Sequence, residues 1–338
     1  MNKDKVYIIA EVGPNHNGDL HLALKMVDAI AETGVDAIKF QMYNPLELYS
    51  DDAIMAKYQK ENVDAQTILE MSRSHQLQPE EHLILYKRCK ELGVDYMCTA
   101  FDMESMKYLE DNCDMSYYKI ASGEIYSLDI LEHMANGTKP IIMSTGMADY
   151  DTIGQILSIL NKKTNRDITI LHCISNYPAK YEEVNLRNML EIKKRFGCNV
   201  GFSDHTIGNE CALAAVAMGA KMIEKHVTLD KTLPGPDHKA SISIEELRSL
   251  VDSIRHVELA LGSYERCFTE EQKEVASVAR KSIVAKTDIK EGHIITESDL
   301  CYKRPGTGIN PLDVKTVVGK VAIQPIKANR VIKISDIH

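Results

Sequence analysis

The chain has 338 residues, of which 44% are hydrophobic and 26% are charged. This composition is typical of globular proteins and argues against fibrous or long disordered chains, and the length predicts one large domain with a small second one. The formal net charge of −9 argues against a nucleic-acid partner, because such partners are bound by basic surfaces.

The beginning of the chain predicts neither export nor membrane insertion. Residues 2–5 are polar, and the apolar run at 6–10 is too short for the core of a signal peptide. No apolar stretch approaches about 18 residues, the length that predicts a membrane-spanning helix. The eight cysteines show no CxxC spacing, which predicts reduced thiols. We therefore expect a cytoplasmic protein without a membrane partner.

Short β-branched or apolar runs alternate with segments of helical periodicity between residues 6 and 262. The runs with strand character are 6–11, 37–41, 96–101, 118–122, 140–144, 169–173, 199–203 and 222–226. Each is followed by helical material, and this alternation predicts an α/β fold, the TIM (β/α)8 barrel, whose usual length is about 250 residues. We assign the barrel to residues 1–262.

Helices are predicted between these strands, at 20–32, 79–91, 150–161 and 244–261. Asp19 and Ser243 stand just before two of them and are expected to cap their amino-terminal ends. The long polar stretch at 44–78 interrupts the pattern after the second strand. It is predicted to be an insertion that shapes the mouth of a site.

The carboxyl-terminal part has a different character. Residues 263–280 are charged and contain no strand-like run, so they are predicted to be a linker. Within residues 281–338, the segment 288–300 is echoed by the segment 325–337. An internal repeat of this kind predicts a small, pseudo-symmetric, β-rich domain.

Polar side chains stand at or just beyond the carboxyl end of each of the eight predicted strands, where barrels of this type carry function. In chain order they are Glu11; Lys39 and Gln41; Thr99; Lys119, Ser122 and Glu124; Ser144; Ser175 and Tyr177; Ser203 and His205; and His226. A barrel with a purely structural role does not need so many polar groups at one rim. The rim is therefore the candidate active site.

Two histidines follow neighbouring strands of the predicted barrel. His205 comes after the seventh strand and His226 ends the eighth, so their imidazoles can approach each other. Imidazole is a ligand for borderline divalent metals, and open positions would let such a metal polarise a carbonyl. The alternative is that one of the two is an ordinary hydrogen-bonded histidine of the rim.

Two lysines end the second and fourth strands, where an inward-pointing ammonium group is costly unless it meets an anion. With nearby hydroxyl groups, Lys39 and Lys119 could hold a phosphate and a carboxylate. Those hydroxyl groups belong to Thr99, Ser122, Ser144 and Ser203. Two alternatives stay open, an ion pair with Glu11 or Glu124, and a Schiff-base lysine of the aldolase type.

Three carboxylates have possible roles at this rim. Glu11 and Glu124 are expected to face the same mouth, where either could transfer protons if burial and neighbouring charges tune its pKa. Asp237 lies in a rigid Gly-Pro-Asp-His turn after the last strand. It could bind sugar hydroxyls or only stabilise that turn.

Several short motifs occur together and in a fixed order along essentially the whole chain. They are Ile8-Ile9-Ala10-Glu11-Val12-Gly13, Lys39-Phe40-Gln41, Tyr118-Lys119-Ile120-Ala121-Ser122-Gly123-Glu124, Phe202-Ser203-Asp204-His205, Ile223-Glu224-Lys225-His226, Gly235-Pro236-Asp237-His238 and Lys303-Arg304-Pro305-Gly306. In combination they resemble the bacterial sialic acid synthase family.

The resemblance implies roles for the rim residues. Phosphoenolpyruvate would be bound by Lys39, Thr99, Lys119, Ser122, Ser144 and Ser203. A divalent metal, Mn²⁺ or Mg²⁺, would be held by His205 and His226. Catalysis would involve Glu11, Glu124 and His226, and the sugar would contact Gln41, Tyr177, Asp237 and Arg304. The tail at 281–338 resembles the antifreeze-like (SAF) domain, which in this family is swapped across a homodimer so that Arg304 would reach the partner's site.

The implied reaction is a metal-dependent condensation of phosphoenolpyruvate with an N-acylated amino sugar. Our first expectation for the acceptor is N-acetylmannosamine, giving N-acetylneuraminate and phosphate. The first alternative is N,N′-diacetyllegionaminate synthesis from 2,4-diacetamido-2,4,6-trideoxymannose. Further alternatives are a pseudaminate synthase, a Schiff-base sialate aldolase and a non-catalytic sugar-binding protein. Departures from the family pattern at Val227 and at Leu233-Pro234 bear on the choice of acceptor.

Overall fold

The computed structural model describes residues 5–56, 59–60, 63–162 and 167–338. The chain forms two compact units, Met1–Gly262 and Ser263–His338. The stretch 263–280, predicted as a linker, falls within the second unit and contains a helix. None of the described helices is both long and apolar enough to cross a bilayer.

The first unit is built on eight strands. They are β1 (Tyr7–Glu11), β2 (Ala37–Met42), β3 (Asp95–Ala100), β4 (Tyr118–Ile120), β5 (Ile141–Ser144), β6 (Ile168–Cys173), β7 (Asn199–Asp204) and β8 (Met222–His226). Their order is β3-β2-β1-β8-β7-β6-β5-β4, the hydrogen-bonded neighbours are parallel, and β3 lies beside β4. The predicted (β/α)8 fold is confirmed, with each strand placed within two residues of its predicted bounds.

Helices follow the strands and cover the sheet. They are α1 (Leu20–Ala31), α2 (Pro45–Leu48), α3 (Ile68–His75), α4 (Pro79–Leu92), α5 (Met103–Asn112), α6 (Leu128–Asn136), α7 (Tyr150–Leu160), α8 (Tyr181–Val184), α9 (Arg187–Phe196), α10 (Glu210–Ala217) and α11 (Ile244–Leu261). The predicted caps are confirmed, because Asp19 accepts from the amides of His21 and Leu22 and Ser243 accepts from the amide of Glu246. These bonds satisfy amides that have no partner within a helix.

The insertion after β2 has a small apolar core of its own. In its described part, α2 and α3 are present, and Met55, Ile68 and Met71 form a buried cluster. Thr67 and Glu70 form a capping box at the start of α3, which fixes where that helix begins. The described part of the insertion, which follows the carboxyl end of β2, therefore packs around a core of its own.

The second unit contains helix α12 (Glu270–Ala279) and the antiparallel strands β9 (Ser282–Ala285) and β10 (Leu300–Lys303). Its core is apolar, and its buried members are Ile283, Ala285, Ile289, Ile295, Leu300, Ile309, Val317, Ala322, Ile326 and Ile332. The repeat seen in the sequence is visible in the structure, because the amides of Thr296 and Lys333 donate equivalent bonds of 2.8 Å to Asp299 and Asp336.

Candidate active site

The inside of the barrel changes from apolar to polar toward the carboxyl ends of the strands. One buried apolar cluster consists of Ile9, Ala37, Met97, Ile142, Leu171 and Met222, all on barrel strands. Two residues further along the same strands stand Glu11, Lys39, Thr99, Ser144, Cys173 and Glu224, all buried. Side chains two apart on a strand point to the same face. The polar layer therefore lies directly above an apolar floor.

Lys39 is the most heavily paired group of this layer. Its Nζ lies 2.7 Å from Glu11 Oε2 and 3.8 Å from Glu224 Oε2, and its hydrogen bond to Thr99 Oγ1 is long, at 3.4 Å. Glu11 also accepts a bond of 2.8 Å from the side-chain amide of Gln41. The ion pair between Lys39 and Glu11, one of the alternatives raised by the sequence, is present in the structure.

Glu224 is a site residue that the sequence analysis did not single out. Its Oε1 lies 3.6 Å from Lys119 Nζ and accepts a hydrogen bond of 3.1 Å from Ser203. The sequence held a signal for it, because Glu224 stands two positions before His226 on β8 and shares its face. Lys225, between them, points to the other face and pairs with Asp204 at 2.7 Å.

The charges in this layer shift one another's protonation. Burial lowers the pKa of Lys119, whose Nζ lies 2.9 Å from Ser144 Oγ. Burial alone would also lower the pKa of Lys39, but Glu11 and Glu224 outweigh it and raise that pKa. For Glu11 burial dominates and raises the pKa, whereas the two lysines overcome the burial of Glu224 and lower its pKa. The two lysines and the two glutamates are thus all buried in the same layer.

His205 and His226 lie together, with their ring centroids 5.6 Å apart. The ring of Tyr177 contacts both, at 5.0 Å from His205 and 4.8 Å from His226. Asp237 Oδ2 is 3.7 Å from His226 Nδ1, which is buried and has no hydrogen-bond partner in the described part of the chain. Cys173 Sγ is 3.9 Å from both ring nitrogens of His205. A buried imidazole nitrogen without a partner fits a metal ligand.

The two imidazoles differ in charge. Burial opposes protonation of His205, but Cys173 above all, with Glu224 and Asp237, raises its pKa to about 9. Burial and the charge of His205 lower the pKa of His226 well below its ordinary value. Burial raises the pKa of Asp237 to about 7, with His205 opposing the shift. Among the described residues, no group of three or more His, Cys, Asp or Glu side chains is arranged to hold a metal, so a metal here would keep open positions.

A cavity of about 290 Å³ opens at this end of the barrel. Its lining from the barrel includes Gln41, Phe101, Ser175, Tyr177, His205, His226, Pro236 and Asp237, and its lining from the end of β2 and the insertion includes Tyr43, Leu48, Tyr49, Gln59, Met71, Ser72 and His75. The two histidines and three of the four expected sugar-contacting residues therefore share one cavity. The lysines do not line this cavity, and Lys39 is linked to it through Glu11 and Gln41.

Three further predicted residues have the following surroundings, and the reach of Arg304 into a partner's site stays a prediction. Ser122 accepts a bond of 2.9 Å from the amide of Gly146. Glu124 does not share the mouth expected for it with Glu11, because it lines a neighbouring acidic cavity with Asp102 and accepts a bond of 2.6 Å from Ser127. Burial raises the pKa of Glu124 there. Arg304 is an exposed residue of the second unit.

Comparison with known families decides the class of this chain. Residues 26–266 match the NeuB family, and residues 280–338 match the SAF domain. The chain belongs to the NeuB family. The resemblance inferred from the motifs, and the antifreeze-like character of the tail, are confirmed.

Individual NeuB-type relatives are similar over most of their length. The N,N′-diacetyllegionaminic acid synthase of Campylobacter jejuni is 41% identical over 333 residues, covering 97% of this chain and 99% of the relative. The synthase of the same name from Legionella pneumophila is 41% identical over 318 residues, covering 93% and 89%. A solved N-acetylneuraminic acid synthetase of Leptospira borgpetersenii, in complex with citrate, matches with a TM-score of 0.71 at 33% identity, covering 80% of this chain and 90% of that one.

Proposed function

We propose that this protein condenses phosphoenolpyruvate with 2,4-diacetamido-2,4,6-trideoxymannose, giving N,N′-diacetyllegionaminate and phosphate. The observation that carries the reaction is a pair of buried lysines that share Glu224 and are linked through Glu11 to Gln41, which lines a cavity together with two adjacent imidazoles. The acceptor differs from our first expectation, N-acetylmannosamine. Its support is that two relatives at 41% identity are N,N′-diacetyllegionaminic acid synthases, whereas the sialic acid synthetase from Leptospira is 33% identical.

The polar layer suits an enol phosphate with a carboxylate. Lys39 and Lys119 are 3% and 2% exposed, and cations so deeply buried stabilise an anionic ligand that can displace their internal partners. Hydroxyl groups of Thr99, Ser144 and Ser203 already bond to the lysines or to Glu224. These groups would exchange their present bonds for the phosphate and carboxylate oxygens.

A divalent metal, Mn²⁺ or Mg²⁺, is part of this proposal, with His205 and His226 as its protein ligands. When bound, such an ion polarises a carbonyl oxygen and stabilises the negative charge that develops there. The contact of Tyr177 with both rings fixes their orientation, and the lowered pKa of His226 keeps that imidazole in its ligating, neutral form. His205, whose pKa is raised to about 9, would release its proton when the ion binds.

The remaining steps fall to the chain's own residues. The C3 of phosphoenolpyruvate adds to the aldehyde carbon of the open-chain sugar, water adds to C2, and the tetrahedral product loses phosphate. Glu11, with its raised pKa and its contact to Lys39, is suited to move a proton to or from the reacting atoms. Gln41 and Asp237 are suited to bind sugar hydroxyls from the cavity side.

The test is a panel of N-acylated sugars with phosphoenolpyruvate, followed by phosphate release, with and without EDTA. We expect turnover of the diacetamido sugar that EDTA abolishes and added Mn²⁺ or Mg²⁺ restores. Turnover of N-acetylmannosamine alone would refute the proposed acceptor. Covalent trapping of pyruvate by borohydride, insensitive to EDTA, would refute the reaction and favour a Schiff-base aldolase. The domain-swapped homodimer and the cytoplasmic location stay predictions.

A further inference from the structure

The insertion after β2 gives the cavity a wall that the reaction itself does not require. From the end of β2 and the insertion, Tyr43, Leu48, Tyr49 and Met71 present apolar or aromatic groups to the cavity. The barrel contributes mainly polar groups, among them Asp237. The insertion also lines the cavity with Gln59, Ser72 and His75, so the apolar wall is only the part formed by the four residues above. An apolar patch in a polar cavity discriminates between ligands that differ in where they carry hydroxyl groups.

This apolar wall is fixed in place. Met71 is 6% exposed and belongs to the small core of the insertion, with Met55 and Ile68. The Tyr43 hydroxyl donates a bond of 3.3 Å to the Ser72 carbonyl oxygen and so joins β2 to α3. At the end of α3, the Ser74 carbonyl oxygen would lie 2.6 Å from a Cβ at Gly18, so this helix packs tightly on the loop after β1.

Two polar side chains of the same insertion each have one atom engaged locally. His75 Nδ1 lies 2.9 Å from the carbonyl oxygen of Met71, within its own helix. Gln59 Oε1 accepts a bond of 2.9 Å from the amide of Ala56. The Met71 thioether itself is only a weak hydrogen-bond acceptor, and a buried hydroxyl without a good partner is unfavourable.

The reacting end of the acceptor sets its direction in the cavity. If the aldehyde carbon lies beside His205 and His226, at the ends of β7 and β8, the carbon chain of the sugar extends away from the polar layer. The insertion covers the mouth because it follows the carboxyl end of β2. The atoms of the acceptor furthest from the aldehyde, at C6, then meet the apolar wall.

We propose that Met71, together with Leu48, forms a subsite for the C6 methyl group and thereby selects a 6-deoxy acceptor. The inference rests on the proposed function and deepens it by naming the residues that set the acceptor. A methyl group gains from leaving water against these side chains, whereas a hydroxymethyl group loses hydrogen bonds. Apolar pockets discriminate between such pairs by roughly ten- to two-hundredfold.

The experiment compares two acceptors that differ at one atom, 2,4-diacetamido-2,4,6-trideoxymannose and its 6-hydroxy counterpart. The quantity measured is the ratio of their kcat/KM values, from phosphate release. In Met71→Gln we expect this preference to fall about tenfold, and in Met71→Leu we expect it to be retained. The matched control is Met55→Gln, because Met55 is 5% exposed in the same cluster but does not line the cavity.

A second pair of variants keeps the test valid if Met71→Gln does not fold. Leu48 is half-buried and lines the cavity, whereas Leu46 on the same short helix is 65% exposed and does not. We expect Leu48→Gln to lower the preference and Leu46→Gln to leave it unchanged. An unchanged preference in both cavity variants, or an equal fall in the Met55 control, overturns the subsite. A wild-type protein that turns over neither diacetamido sugar overturns the proposed function, and the subsite with it.

Discussion

The carboxyl end of the barrel and the second unit bury polar side chains in different ways. Among the described residues of the barrel, seven side-chain atoms are buried without a hydrogen-bond partner. Those of the polar layer and the cavity are Glu11 Oε2, Ser175 Oγ, Glu224 Oε2 and His226 Nδ1, and the others are Asn15 Oδ1, His82 Nε2 and Asn209 Oδ1. In the second unit, which is described throughout, the buried polar residues are Ser282 and Asp336, and both are bonded within the unit. Buried polar atoms are almost always paired in native proteins. The exceptions at the barrel rim are groups that a ligand would complete.

The comparison separates residues kept for binding from residues kept for folding. At the rim, buried charges lower the stability of the fold but lie where they can bind an anion, as expected of a functional site. In the second unit, the interior obeys the ordinary rules of an apolar core. Substitutions in the two regions should therefore act on different measurements.

The largest effect is expected from Lys119→Met. Because Lys119 is 2% exposed and burial lowers its pKa, its charge is costly in the folded protein and useful to an anionic ligand. We expect kcat/KM for phosphoenolpyruvate to fall by about a thousandfold, the upper range for loss of one electrostatic contact to the reacting group. Thermal unfolding should show little loss of stability, because Glu224 keeps Lys39 at 3.8 Å and the hydrogen bond from Ser203.

The matched control is Lys225→Met, on the same barrel. Lys225 is 3% exposed and its Nζ pairs with Asp204 at 2.7 Å, on the face turned away from the polar layer. Removing it leaves the Asp204 carboxylate buried, which costs about 3–5 kcal/mol of unfolding free energy. Chemical denaturation should detect this loss while the affinity for phosphoenolpyruvate stays unchanged. The same profile in both variants would contradict the distinction between the two faces.

The next effect concerns the core of the second unit. Ile283 is fully buried on β9, and its truncation in Ile283→Ala should lower the unfolding free energy by about 2–5 kcal/mol through lost contacts and a cavity. Phosphoenolpyruvate affinity, measured by titration calorimetry, should not change. A weaker affinity at unchanged stability would show that this core serves ligand binding and would break the comparison.

A smaller effect is expected from pH on the stability of the barrel. Burial lowers the pKa of His82 from 6.5 to about 4, and its Nδ1 lies 2.9 Å from the Tyr96 hydroxyl. The unfolded chain binds the proton more readily, so stability is present above pH 6.5 and is lost as the pH falls toward 4. The slope contributed is about 1.4 kcal/mol per pH unit.

Urea denaturation between pH 7 and 4 measures this slope. His82→Phe should reduce the slope by the contribution of His82, since Phe cannot take up a proton, while His16 and His238, whose pKa values burial also lowers, still contribute. Both histidines of the second unit, His293 and His338, are exposed, so acid should weaken the barrel before that unit. An unchanged slope in the variant would rule out His82 as the titrating group.

The fold could be predicted almost completely from the sequence, because its signals are local. Each strand is a short apolar run, and capping residues such as Asp19 and Ser243 mark where helices begin. The rim residues were also predictable, since parallel strands of a barrel all end at the same edge. Glu224 was missed although the alternation along β8 pointed to it.

What the sequence could not give depends on contacts between distant segments. Whether Glu124 faces the main cavity depends on how the turn after β4 packs against Asp102, and neither residue's type reveals that. The choice of ion-pair partner for Lys39 depends on the depth of Glu11 in the same layer. The apolar wall is also a product of packing, because Met71 reaches the cavity from an insertion whose helical register was not predicted.

The smallest effect is expected from two helix-capping residues, one in the insertion and one in the second unit. Thr67 caps α3 in the insertion and Thr269 caps α12 in the second unit, both in capping boxes. Replacing either by Ala should cost about 1 kcal/mol of helix stability. Helix α3 lines the cavity, whereas α12 buries no side chain of its own. Only Thr67→Ala should therefore raise the KM for the acceptor sugar, by a few-fold. The KM for phosphoenolpyruvate should not change. Steady-state kinetics with each substrate varied in turn measures both constants, and an equal rise in Thr269→Ala would mean that the order of the insertion does not control acceptor binding.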